Sequence, residues 1–185
     1  MQSLRRAIET YVPWDGQEAR DQEVMLYALD RLESPLTRDN PVAHFTASSW
    51  IVNPDHSRVL MAWHNIYRTW AWTGGHADGE ADMLVVALRE AREESGLEAL
   101  SPVTPDIYSL EILPVNAHVK RGQFVAAHLH LNVTYLLTAD DAQPLRVKPD
   151  ENSAVAWLPL EEAADNRDEP FMAVVYRKLN AKLPR

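Results

Sequence analysis

The spacing of apolar residues along this chain changes from helical to strand-like and back, and those changes mark its segments. Between about residues 3 and 32, Leu4, Ile8 and Tyr11 recur on one side of a helix. Pro13, Trp14, Asp15 and Gly16 interrupt it, and a second helical stretch follows through Val24, Leu26, Tyr27 and Leu29. Residues 36–41 read as a loop. From His44 the texture is that of strands: residues 44–52, a turn at Asn53-Pro54-Asp55-His56-Ser57, and residues 58–64 predict a hairpin. Residues 70–73 predict a short strand running into a turn at Gly74-Gly75. A long helix is predicted from about Asp82 to Ser95, stopped by Gly96 as a C-terminal cap. Its apolar stripe is Leu84, Ala87, Leu88 and Ala91, which should pack on the sheet.

Beyond that helix, residues 107–119 predict a strand broken near Pro114, and residues 124–137 predict the longest strand, with a turn at 120–123 between them. Residues 154–158 predict a short strand. The chain from Glu161, through Phe171, Val174, Val175 and Leu179, predicts a terminal helical region with a break near Pro170. Strands and helices mix without regular alternation, so the expected fold class is an α/β sandwich with a mixed sheet. Residues 1–42 read as a helical N-terminal extension packed on a main domain of residues 43–185.

Composition narrows the function more than the fold. The 185 residues suit one domain with a sizeable core. A net charge of −9 argues against a binder of nucleic acid polymers, which needs clustered Lys and Arg. It is compatible with a small anionic substrate, because a bound divalent cation inverts the local field. With no cysteine there is no disulfide, thiolate nucleophile or Cys-type zinc site. The first residues lack the apolar core of a signal peptide, and no apolar run approaches membrane-spanning length. A cytoplasmic location without membrane attachment is therefore expected.

The most informative segment is GGHADGEADMLVVALREAREESGL, residues 74–97. Glu90 and Glu94 are i,i+4 neighbours on the helix, and Glu93 lies on the flank of the same side, expected to be exposed. A like-charge pair at this spacing costs a helix about 0.2–0.5 kcal/mol, which a solvated helix tolerates. The context carries the inference: a double glycine and an acidic loop before the helix, and a glycine cap directly after the carboxylates. Hard cations such as Mg²⁺ take a few carboxylates together with water and substrate phosphates.

This segment resembles the signature of the Nudix hydrolases: Gly, five residues, Glu, seven residues, then Arg-Glu-aliphatic-any-Glu-Glu-any-Gly-aliphatic. Arg89, Glu90, Glu93, Glu94, Gly96 and Leu97 match its second half, with Ala91 at the aliphatic position. The resemblance implies a Nudix-type α/β/α sandwich. It further implies that Glu90, Glu93 and Glu94 bind Mg²⁺ or Mn²⁺ with help from a backbone carbonyl at Gly74-Gly75. The implied reaction is hydrolysis of a diphosphate linkage in a small nucleotide-type substrate, a nucleoside diphosphate joined to another group. Arg89 is then an orienting residue able to pair with Glu93. One position departs. Counted from Gly75, the loop glutamate of the signature falls on Ala81, with Glu80 one residue early and Asp82 one residue late. Either is a candidate brace for the loop.

Glu151, in a loop six residues before Trp157, is a further candidate base or ligand, weighed evenly against an exposed acidic turn. His128 and His130 share one strand face, and with His76 they are candidates for the substrate cleft, a role favoured over a second metal site. Of Trp70 and Trp72, one should face the cleft and one the core, with Trp72 the cleft candidate. Arg68, Lys120 and Arg121 are candidate phosphate contacts. The alternative function is a catalytically weakened Nudix-fold nucleotide-binding or sensor module. An isoprenoid-diphosphate isomerase is disfavoured by the lack of cysteine. A homodimer through the N-terminal helices is compatible with the sequence.

Overall fold

Two amphipathic helices lead into the sheet. In α1 (Gln2–Thr10) the buried residues are Leu4 and Ile8. The second, α2 (Gly16–Arg31), starts at Asp15, whose carboxylate accepts from the Glu18 N–H. Its buried face is Glu18, Met25 and Ala28, whereas Val24 and Tyr27 are exposed. The computed structural model describes residues 1–120, 122–165 and 169–184, and the side chain of Lys120 is not among what it describes.

The remaining elements are β1 (Ala43–Val52), β2 (Arg58–His64), β3 (Thr69–Ala71), β4 (Thr73–His76), α3 (Met83–Ser95), β5 (Leu100–Pro102), β6 (Ser109–Val115), β7 (His118–Lys120), β8 (Gln123–Val125), β9 (His128–Ala139), β10 (Asn152–Pro159), α4 (Leu160–Ala164) and α5 (Pro170–Ala181). Eight strands form one mixed sheet in the order β10-β2-β1-β9-β5, with β3 on β2, β4 on β1 and β6 on β9; β7 and β8 pair separately. The central pair, β1 and β9, is parallel from Ala43 opposite Leu129 to Val52 opposite Thr138.

Burial on both edges and both faces makes every residue of β1 buried. Its two faces differ in chemistry. Phe45, Ala47 and Ile51 join Val86, Ala87 and Ala91 of α3 and Leu4, Ile8 and Met25 of the first two helices in one core. Trp50 and Val52 on the other face join Val175, Tyr176 and Leu179 of α5 in a second. His44, Thr46 and Ser48 share that second face and are buried polar residues. The fold is thus the expected α/β sandwich, with helices on either side of a mixed sheet.

Three local expectations are corrected. The double glycine is not a turn: Gly74 and Gly75 lie inside β4, opposite Ser48 and Ala47 of β1. A Cβ on Gly74 would collide with Ser48 and with the backbone oxygen of Ala47, so glycine serves close approach here rather than chain reversal. The predicted strand at 70–73 is two strands, β3 on β2 and β4 on β1, parted at Trp72. The buried stripe of α3 is Met83, Val86, Ala87, Ala91, Glu94 and Ser95, while Leu84 and Leu88 are only half-buried. Gly96 does close the helix, in the left-handed conformation at φ 73°.

Candidate active site

Helix α3 presents its carboxylates to β4. Asp82 starts the helix by accepting from the Leu84 and Val85 N–H groups. Three turns on, Glu94 is buried, and one of its oxygens accepts from the Gly74 N–H at 3.2 Å. A Cβ on Gly75 would collide with the Glu90 carboxylate, so the second glycine leaves room for the side chain one turn earlier. Glu90, Glu94 and Glu151 each place a carboxylate oxygen within 4.8 Å of the other two. The loop residue Glu151 therefore joins the set. Asn152 fixes that loop against α3, donating to the Glu94 carbonyl at 3.0 Å and accepting from the Lys148 N–H at 3.1 Å.

Glu93 is exposed on the helix flank, and its carboxylate is 3.0 Å from the Lys148 ammonium, which also lies 3.1 Å from Glu151. Lys148 supplies the positive charge that the acidic cluster needs, and sequence reasoning missed it because the residue lies 55 positions away from Glu93. The Glu94 carboxyl has its pKa pushed up to about 8, first by burial and then by the neighbouring charges of Glu151 and Glu90, against the opposing Gly74 N–H and Lys148. Three converging oxygen donors, one of them unfavourably charged without a cation, are the donor set a hard divalent ion takes.

The loop between β4 and α3 is held without the expected brace. Arg89 donates to Glu90 at 2.9 Å and to the His76 carbonyl at 3.2 Å, rather than to Glu93, Glu80 or Asp82. Glu80 instead accepts from the Asp82 N–H at 2.8 Å, and Asp82 is spent on capping. The brace comes from outside the signature. Arg38, between α2 and β1, makes a two-pronged contact with Asp78, the first prong at 2.8 Å. The Gly79 N–H donates to the Leu36 carbonyl at 2.9 Å.

A family model described as the NUDIX domain matches residues 42–179. The chain belongs to the Nudix hydrolase family. It is an enzyme of that family's pyrophosphohydrolase class by membership. Among solved structures it is similar to an Ap4A hydrolase binary complex from C. elegans, at 20% identity and a TM-score of 0.55 over 74% of this chain and 95% of that one. It is also similar to the Nudix hydrolase RenU from M. smegmatis, at 21% identity and a TM-score of 0.54, covering 77% and 88%. A third is the MutT protein of Methanosarcina mazei Go1, at 13% identity and a TM-score of 0.56, covering 75% and 93%. At such identities the likeness establishes a common fold. No curated protein sequence matches the chain.

Around the Nudix helix, the other predicted residues separate. His76, His128 and His130 do come together, with His44, on the face of the sheet opposite the carboxylates; their ring centroids lie 4.9–5.1 Å from one another's neighbours. His44 was not singled out in the sequence, because nothing in its local pattern distinguishes it from a strand residue. Trp72 is half-buried and packs edge-on against Tyr176 of α5, its N–H 3.3 Å from the Tyr176 hydroxyl. Trp70 sits edge-on to Trp63. Arg68 is exposed between β2 and β3. Arg121 and the side chain of Lys120 lie outside the described residues. Among the described residues no helix is long and apolar enough to cross a membrane.

Proposed function

We propose that this Nudix enzyme is a Mg²⁺- or Mn²⁺-dependent pyrophosphohydrolase that cleaves a diphosphate linkage in a nucleoside diphosphate joined to another group. The observation that carries the reading is the convergence of Glu90, Glu94 and Glu151 beside the two close-packed glycines of β4. Glu90 and Glu94 hold the cation, and Glu93 adds to the site once it exchanges Lys148 for the ion. Bound there, the cation supplies neutralisation of phosphate charge and acidification of water. Glu151 is the most accessible of the three converging carboxylates and accepts the proton of the attacking water. Arg89 orients Glu90 through their contact and fixes the end of β4 through the His76 carbonyl. The Lys148 pairs are partly exposed, contribute about 1 kcal/mol or less each, and so yield readily to a divalent ion.

The substrate class fits a small molecule, since the chain is acidic overall and the cation provides the local positive field. Dinucleoside polyphosphates belong among the first compounds to try, given the fold shared with an Ap4A hydrolase. The test is a phosphate- and nucleotide-release screen over nucleoside triphosphates, sugar nucleotides, dinucleotides and dinucleoside polyphosphates with Mg²⁺ or Mn²⁺. Turnover of at least one class, abolished by chelation, is expected. Binding of nucleotides without turnover of any would instead establish a binding or sensor module.

A further inference from the structure

Four of the chain's seven histidines meet on one patch of the sheet, from three adjacent strands. His44 on β1 lies opposite His130 on β9, and His76 on β4 lies opposite Thr46, two residues along β1. His44, His76 and His130 each offer a ring nitrogen within 4.8 Å of the other two. The patch is separate from the carboxylates: Gly75 faces Glu90 on α3, and the next residue, His76, points to the other face.

The hydrogen bonds of this patch set the tautomers of His44 and His128. His44 Nδ1 is 3.1 Å from the Asn40 carbonyl, which only accepts, so Nδ1 carries the proton and Nε2 keeps its lone pair. That Nε2 is buried, in a residue only 4% exposed, and no protein group donates to it. His128 is set the same way, with Nδ1 2.9 Å from the Ala126 carbonyl, and its Nε2 lies 3.3 Å from His130 Nε2. Nitrogens around a tetrahedral zinc with bonds of about 2.0–2.1 Å stand about 3.3–3.4 Å apart.

We propose that His44, His76 and His130, with His128 beside them, form a second metal site that takes one Zn²⁺-class ion. Neutral imidazoles suit Zn²⁺ and its transition-metal neighbours, whereas Mg²⁺ and Mn²⁺ prefer the oxygen set on α3. The carbonyl of Asn40 is the outer partner that holds His44 in its ligating tautomer. An ion at this site also ties the end of β4 to β1 and β9, where the His76 carbonyl receives Arg89.

The untagged 185-residue chain, stripped with a chelator, is titrated with Zn²⁺ by calorimetry at about pH 7.5, where imidazole is neutral. One Zn²⁺ per chain is expected. Its affinity should fall at least about tenfold in His44→Gln and in His130→Gln, and stay within about twofold in the double variant Glu90→Gln/Glu94→Gln. Because His44 is buried, circular dichroism melts accompany each variant, and His130→Gln, on a half-buried ring, decides the matter if His44→Gln does not fold. Absence of saturable Zn²⁺ binding overturns the proposal. So does Zn²⁺ binding that survives in His130→Gln and disappears in the carboxylate variant.

Discussion

A carboxyl group that is buried and faces two other carboxylates keeps its proton near neutrality, and Glu94 is in that position with a pKa of about 8. Its folded pKa is raised above its value of 4.5 in the unfolded chain. The group therefore favours the fold fully below that lower value, and the contribution is lost as pH rises through about 8. A Mg²⁺ ion reverses the sense, since it binds the deprotonated form. Two outcomes are expected for Glu94→Gln. The metal-free melting temperature should equal or exceed that of the parent at about pH 8.5, with the difference vanishing toward about pH 5, as a neutral amide replaces a group that must ionise. Metal-dependent turnover should meanwhile drop by about a hundredfold or more. Differential scanning fluorimetry and the release assay read the two effects separately. A variant that melts well below the parent at the higher pH yet keeps its turnover would remove Glu94 from the centre.

The loop of residues 77–82 shows how elements share a task that the signature assigns to one glutamate. Its hold comes from Arg38 on Asp78 and from the Leu36 carbonyl on Gly79, both in the segment before β1. Because both members of the Arg38–Asp78 pair are exposed to about half, the pair adds about 1 kcal/mol or less to stability. Its value lies in position, since small displacements of a catalytic loop cost rate steeply. Arg38→Ala is expected to lower turnover about tenfold with little change in melting temperature, and Arg38→Lys to restore it only in part, lacking the planar fork. Full turnover in Arg38→Ala would mean that the loop holds itself. The helix of this motif was legible from residue types because its carboxylates and its glycine cap lie within one short stretch of chain. Glu151 was legible as a candidate too, but the rest of the site was not. Lys148 and Arg38 reach it, and His44 reaches the histidine patch, through pairings of strands and loops far apart in sequence, and periodicity carries no trace of which distant residue will arrive. The buried face of α3 was misread for a related reason: a wheel that sorts by polarity cannot place Glu94 inside, and the Gly74 N–H that receives it lies on another element.

Across the whole molecule, α2 and the C-terminal α5 are joined through a buried ionic network that includes β6. Glu18 of α2 is fully buried and lies 2.6 Å from Lys182 just past α5, 3.1 Å from Lys178 within it, and 2.6 Å from the Ser109 hydroxyl of β6. Lys178 also pairs with the buried Glu111 at 2.9 Å. Burial alone would raise the Glu18 pKa, but donors from Lys182, Ser109, Tyr11 and the Trp14 N–H outweigh it and hold the value at about 2. A folded pKa below the unfolded one gives stability that is present above the unfolded value and lost as pH falls through the folded one. The network thus opposes Glu94 in sign and adds to acid lability. We propose on this basis that residues 1–42 extend the domain of residues 43–185 and unfold together with it. Urea unfolding followed by tryptophan fluorescence and by circular dichroism should give one coincident transition. Glu18→Gln, which takes the carboxylate from buried Lys182 and leaves Lys178 with Glu111 alone, should cost about 3–5 kcal/mol and flatten the acid limb of the stability curve. Separate transitions in the parent chain, with a Glu18→Gln variant within about 1 kcal/mol of it, would show that the N-terminal helices are a detachable attachment.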